Sequence, residues 1–151
     1  MFTREGMVKR TNLNDFIVSR YSKAYTAMKL KDTDEVVNVC ITKPNVLIVT
    51  KTGYYLNYMA SEIPLSGPKA AGVKGINLKD DNVISGICYS EKDEYIDIFT
   101  NQKTAKRVKL SELNMLSRAK RGTTLIKKVK STNYEIIKAF STSAKDIIGI
   151  K

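Results

Sequence analysis

A five-residue motif recurring at intervals of about fifty residues constrains this chain more than any other feature. Phe2-Thr3-Arg4-Glu5-Gly6, Val49-Thr50-Lys51-Thr52-Gly53 and Phe99-Thr100-Asn101-Gln102-Lys103 align as three copies, spaced 47 and then 50 residues apart. Each copy is followed by a second matching stretch: Glu35-Val36-Val37-Asn38-Val39, Asn82-Val83-Ile84-Ser85-Gly86 and Glu135-Ile136-Ile137-Lys138-Ala139. Leu30, Leu78 and Val129 also correspond. A repeat of this length cannot bury its apolar face alone, so neighbouring units must complete one another's core.

The middle unit shows what each copy contains. An apolar run from Val46 to Thr50 reaches a turn at Lys51 to Gly53, and an aromatic run from Tyr54 to Tyr58 leads to the corner Ser61-Glu62-Ile63-Pro64-Leu65. The loop Ser66 to Gly75 follows, with three glycines and the cations Lys69 and Lys74. Glycine there permits close approach of backbone to a neighbour or ligand. Ile76-Asn77-Leu78, a Lys-Asp-Asp-Asn turn and the apolar run Val83 to Tyr89 close the unit. The runs are β-branched or alternating, with no ten-residue stretch at helical spacing, which excludes a two-helix repeat. The pattern predicts an all-β, propeller-like array of about three four-stranded antiparallel blades. Residues 1–151 form one domain, with units at about 2–42, 49–90 and 99–142. The run Asp146 to Ile150 matches Asn45 to Val49, so a last strand over 146–150 is expected to belong to a further or closing blade. The first unit opens directly on its strand at Phe2, leaving no room for the residues that precede Val49 and Phe99.

A hydrophobic content of 42% in 151 residues is enough for a core. No apolar run nears the roughly 18 residues that span a bilayer, and no signal pattern opens the chain, so no membrane partner and no export are expected. Cys40 and Cys88 are read as matching positions of the first and second units, two separate buried thiols rather than a disulfide. With no histidine in the chain, two thiols fall short of a zinc site, and the usual general base is missing. No metal, cofactor or small-molecule substrate is expected. An independent enzyme is disfavoured, because no nucleophile and base pair, nucleotide loop or carboxylate cluster occurs.

Charge supplies the functional signal. Lys and Arg number 26 against 15 Asp and Glu, a formal net charge of +11. The three units carry +2, +1 and +9, from seven basic and five acidic residues, four and three, and eleven and two. Such an excess points to a polyanionic partner. Basic residues recur at two places. One is the end of the second strand, where Lys9-Arg10 and Lys106-Arg107 correspond and Leu56-Asn57 breaks the pattern. The other is the loop, with Arg20 and Lys23, then Lys69 and Lys74, then Arg118, Lys120 and Arg121. A single charge run is usually a solvated face; recurrence at equivalent positions favours phosphate contact. Arg4, Lys51, Lys103, Lys127 and Lys128 complete the candidate set.

The motif Phe-Thr-x-x-Gly with a following Lys-Arg, Glu62-Ile63-Pro64, and the run Ala70-Ala71-Gly72-Val73-Lys74-Gly75-Ile76-Asn77-Leu78 together resemble the repeat of the C-terminal domains of bacterial type IIA topoisomerase A subunits. The topoisomerase IV branch found in Gram-positive bacteria is the nearer match, and the resemblance spans Phe2 to Ile150. It implies a β-pinwheel, in which a hairpin from each blade pairs into its neighbour and a basic edge bends or wraps double-stranded DNA. The implied partners beyond DNA are the ATPase B subunit together with the rest of the A subunit, in an ATP-dependent enzyme of the bacterial cytoplasm and nucleoid that decatenates and relaxes DNA. The gyrase branch carries a Gln-Arg-Arg-Gly-Gly-Lys-Gly type box, which none of the three loops matches. Family domains have about twice as many blades as this chain. The family's DNA-cleaving tyrosine follows an arginine in a separate winged-helix region; Arg20-Tyr21 reproduces the pair of residues but lies in a blade loop, so this segment is expected to bind DNA without cutting it. The alternative reading is a propeller that binds RNA or an acidic protein. Lys103, in place of the turn glycine, leaves the geometry of the third turn open.

Overall fold

A computed structural model of the chain describes residues 1–127 and 132–146. The first unit contributes β1 (Phe2–Thr3), β2 (Met7–Val8) and β3 (Val36–Asn38). The second contributes β4 (Asn45–Thr50), β5 (Tyr54–Met59), β6 (Val73–Lys74) and β7 (Val83–Tyr89). The third contributes β8 (Tyr95–Thr100), β9 (Ala105–Lys109), β10 (Thr123–Thr124) and β11 (Ile136–Thr142). Three antiparallel sheets result, ordered β3-β1-β2-β6, β7-β4-β5-β10 and β11-β8-β9. The all-β array is present, with four strands in two sheets and three in the last among the described residues. Residues 147–150 of the expected final strand, and Val129, lie outside the described residues.

The recurring motif is a hydrogen-bonded turn. Gly6, Gly53 and Lys103 donate their backbone N–H to the carbonyls of Thr3, Thr50 and Thr100 at 3.1, 3.2 and 3.1 Å. The Thr3 and Thr50 hydroxyls accept from the N–H of Met7 and Tyr54, and the Thr100 hydroxyl bonds to that of Thr104. Threonine is therefore required at the second position, where a methyl would strand a backbone donor in a buried place. The last position needs a left-handed backbone, φ 87° at Gly6 and 94° at Gly53. Lys103 takes φ 58°, so the third turn keeps its form without glycine.

Each turn is clasped by the next unit. The Gly6 carbonyl accepts from the N–H groups of Gly75 and Ile76, and the Gly53 carbonyl from those of Leu125 and Ile126. Likewise Arg4 accepts from Val83, and Lys51 from Ile136. The loop of each unit then lends a strand backward: β6 pairs with β2 through Met7↔Lys74 and Val8↔Val73, and β10 with β5 through Thr123↔Tyr55 and Thr124↔Tyr54. This exchange is what makes the array a pinwheel. Gly72 and Gly122 open the lent strands, and a Cβ at either would overlap the Val8 or Tyr55 carbonyl oxygen.

The core lies between the sheets and follows the period of two. On β4, Val46 and Ile48 face the first sheet with Phe2, Val8 and Leu56, while Leu47 and Val49 face the third with Ile96, Ile98 and Ile136. Gly86 of β7 leaves room for the Phe2 ring. The strand register corrects one sequence expectation. Phe2 pairs with Asn38 and Val49 with Ser85, so Cys40, two residues past Asn38, and Cys88, three past Ser85, are one residue out of step rather than at matching positions.

Candidate nucleic-acid interface

Three loops form one continuous rim. Lys29 of the first loop donates its N–H to Ala70 of the second at 3.1 Å; Asn77 of the second donates to Lys120 of the third at 2.9 Å, and Ala119 donates back to Gly75 at 3.0 Å. Lys29 and Asn77 are equivalent residues, as are Ala70 and Lys120, so the same joint is made twice. Residues 20–29, 66–77 and 117–127 hold three, two and four basic residues respectively, and no Asp or Glu. Backbone bonding of successive loops therefore fixes nine cations along one edge, free of carboxylates from the loops themselves.

Exposure divides these cations. Arg20, Lys23, Lys29, Lys69, Lys120 and Lys127 are exposed. Arg121 stacks its guanidinium 4.6 Å from the centre of the Tyr54 ring while remaining exposed, which holds the charge outward on a fixed support. Lys74 bonds Asn77 Oδ1 at 2.8 Å. Arg118 spends Nε on the Glu62 carbonyl and a terminal nitrogen on the Lys74 carbonyl, 2.9 and 2.6 Å away. It pins the third loop to the second. Tyr21, beside Arg20, is 90% exposed and lies in this rim.

The second recurring place differs from the sequence expectation. Lys9 is 2% exposed, and its ammonium donates to the carbonyls of Ala27 and Pro68 at 2.7 and 2.5 Å. Desolvation lowers its pKa. A phosphate has no access to it, and Lys9 leaves the candidate set: it ties the first loop to the second. Its neighbour Arg10 is half-buried, with Nε enclosed and unpartnered. In the second unit Leu56 is fully buried, and Asn57 bonds Tyr89 at 2.8 Å and the Leu113 carbonyl at 3.4 Å. This strand end is thus an interior position wherever the next unit covers it. In the third unit Lys106 and Arg107 are exposed, yet Lys106 donates to the Leu125 carbonyl at 3.2 Å, and Arg107 chelates Asp97 at 2.6 and 2.7 Å beneath Tyr95. The hydrogen bonds from Arg107, aided by Thr142, hold the Asp97 carboxyl below the ordinary range.

Two turn cations are also neutralised: Arg4 pairs with Glu35 at 3.0 Å, and Lys51 with Glu135 at 3.4 Å. Lys103 is exposed in the third turn. Lys128 lies outside the described residues. Sequence reasoning missed Lys29, whose equivalence to Asn77 was the available signal, and Lys138, which lies over the Phe140 ring on β11. Away from the rim, a cavity of about 560 Å³ between the second and third sheets is lined by Glu91, Asp93 and Glu94 together with Lys109. Its sign suits no phosphate.

The family described as DNA gyrase C-terminal domain, beta-propeller, matches residues 1–43, 44–87 and 94–143. The A subunit of DNA topoisomerase 4 from Bacillus subtilis (strain 168) is 39% identical over 143 residues, 93% of this chain and 18% of that protein. The protein of the same name from Streptococcus pneumoniae is 36% identical over 152 residues, 97% of this chain and 18% of that protein. A crystal structure of the C-terminal domain of DNA topoisomerase IV superposes with a TM-score of 0.89 at 39% identity, over 94% of this chain and 45% of that one. A DNA gyrase A C-terminal domain superposes at 0.79 with 23% identity over 94% of this chain and 47% of that one, a likeness of fold. The chain thus spans about a fifth of the curated relatives it matches and just under half of the solved domains. Three consecutive repeat matches and clasped blades of this form together assign it: the chain belongs to the family of C-terminal domains of the topoisomerase IV and gyrase A subunits.

Proposed function

We propose that the loop rim is a sequence-independent binding surface for double-stranded DNA, and that curvature of the array bends the duplex. The observation that carries this reading is the set of nine loop cations, without one carboxylate in the same segments, joined from unit to unit by repeated backbone hydrogen bonds. Duplex DNA presents a phosphate charge every 1.7 Å or so along its axis, and a contact made by backbone-anchored cations positions it without reading bases. No α-helix is available among the described residues to enter a major groove, which fits phosphate tracking rather than base readout. Within a whole subunit, bound to its ATPase B partner, this surface would help an ATP-dependent type II topoisomerase choose DNA crossings for decatenation and relaxation in the bacterial cytoplasm.

The test is salt dependence. Replacing Lys23, Lys69 and Lys120 by Ala should flatten the slope of log affinity against log salt by about 0.9 for each lost contact on duplex DNA, with sequence preference unchanged. Arg107→Ala, whose charge is already neutralised by Asp97, should leave that slope nearly untouched. The opposite pattern, with Arg107 dominant and the loop lysines silent, would move the interface from the rim to β9.

A further inference from the structure

The cysteines are the remaining unassigned chemistry. Cys40 Sγ and Cys88 Sγ stand 2.8 Å apart, both free and both half-buried. They face one another because of the one-residue offset in register. Two cysteines at equivalent places in adjacent blades would both point the same way along the array, whereas a shift of one residue turns one of them over. Cys88 belongs to β7 of the second sheet and Cys40 follows β3 of the first, where the Asn38 amide already reaches the Gly86 carbonyl at 2.6 Å.

We infer that Cys40 and Cys88 form a peroxide-reactive thiol pair that closes to a disulfide and staples the first blade to the second. A covalent S–S bond measures about 2.05 Å, so the sulfurs must approach by less than ~1 Å. The roles of the two sulfurs are distinct. The hydrogen bond they share brings the Cys40 thiol down to about 7 and pushes that of Cys88 up, so the proton stays on Cys88. Cys40 also lines a cavity of about 440 Å³, where Lys9 and Arg10 add positive charge. A partly exposed thiolate beside a resolving thiol is the arrangement that reacts with hydroperoxides.

The reaction balances in two steps. The Cys40 thiolate attacks one peroxide oxygen; the O–O bond breaks, and the departing hydroxide takes a proton and leaves as water, giving a sulfenic acid at Cys40. The Cys88 sulfur then attacks Cys40 Sγ, the S–O bond breaks, and the Cys88 proton leaves with the hydroxyl as a second water. Two electrons pass from the sulfur pair to one hydroperoxide. A thiol reductant reverses the bond by exchange.

The experiment treats the reduced, full chain with hydrogen peroxide near neutral pH and maps its peptides without reduction. The expected result is one intramolecular species joining the peptides of Cys40 and Cys88, lighter by two hydrogens, whose melting temperature lies about 5 °C or more above that of the reduced chain. In Cys88→Ser, Cys40 should accumulate as a sulfenic acid that dimedone traps. In Cys40→Ser, loss of the remaining thiol should slow about tenfold or more, since Cys88 alone has little thiolate at this pH. A wild-type chain that yields only sulfinic acid, or only disulfides between chains, overturns the proposal. So does a Cys40→Ser variant that reacts as fast as the parent.

Discussion

At the residue scale, single positions decide whether a unit can engage its neighbour. Gly122 has φ 89°, and a Cβ there would overlap the Tyr55 carbonyl oxygen. Gly122→Ala should therefore cost at least about 2 kcal/mol, combining an unfavourable left-handed alanine with a displaced β10 strand. Gly67, with nothing within 4 Å of an added Cβ, is the matched control, and Gly67→Ala should change stability by less than ~0.5 kcal/mol. Chemical denaturation distinguishes them; equal losses would mean that the clasp does not limit stability. Lys103 gives the opposite case. It holds φ 58° where the other two turns use glycine, so Lys103→Gly should stabilise the chain by up to about 1 kcal/mol.

At the element scale, the third sheet is tied together by one carboxylate. Asp97 on β8 accepts two hydrogen bonds from Arg107 on β9 and one from Thr142 on β11, at 2.6, 2.7 and 2.9 Å. These bonds depress the folded pKa of Asp97. A depressed carboxyl contributes stability that is fully present above its unfolded pKa of about 3.9 and disappears as pH falls through the lower folded value. Asp97→Asn should therefore be less stable than the parent at pH 7, and the difference should shrink as both are taken to about pH 2. Arg107 is partly exposed, its side chain 42% accessible, so solvent screening keeps the effect modest. A pH-independent gap would show that Asp97 acts through shape rather than charge. The same scale explains what sequence could reveal. The three turns and the closing strands β7 and β11 were legible because a turn motif and an apolar run are local. The lent strands β6 and β10 were not, since Val73–Lys74 and Thr123–Thr124 are two residues long and acquire strand character only from the preceding unit. Lys9 failed for the same reason. A Lys-Arg pair reads as surface until the following loop brings the Ala27 and Pro68 carbonyls around it.

At the scale of the whole molecule, the question is how far a rim of three loops can curve DNA. Bending 20 to 30 base pairs through 40 to 90° costs of the order of 1 to 6 kcal/mol, so contacts must be distributed along the arc rather than gathered at one point. The loops supply three, two and four cations in order along the array, with the middle loop weakest, so the duplex is gripped more firmly at the ends of the rim than at its centre. That distribution favours a shallow bend. None of the three loops carries the glycine-rich basic box of the gyrase branch, and the described sheets form an array whose last outgoing strand, β9, receives no lent strand among the described residues. A handed wrap is therefore not expected from this chain. Ligation of nicked circles in its presence measures the outcome: the expected change in linking number is small and close to symmetric about the unbound distribution, while circularisation of short fragments should rise. A large shift of one sign per bound chain would mean that the rim follows a superhelical path, and that three clasped blades already impose the handedness of the duplex.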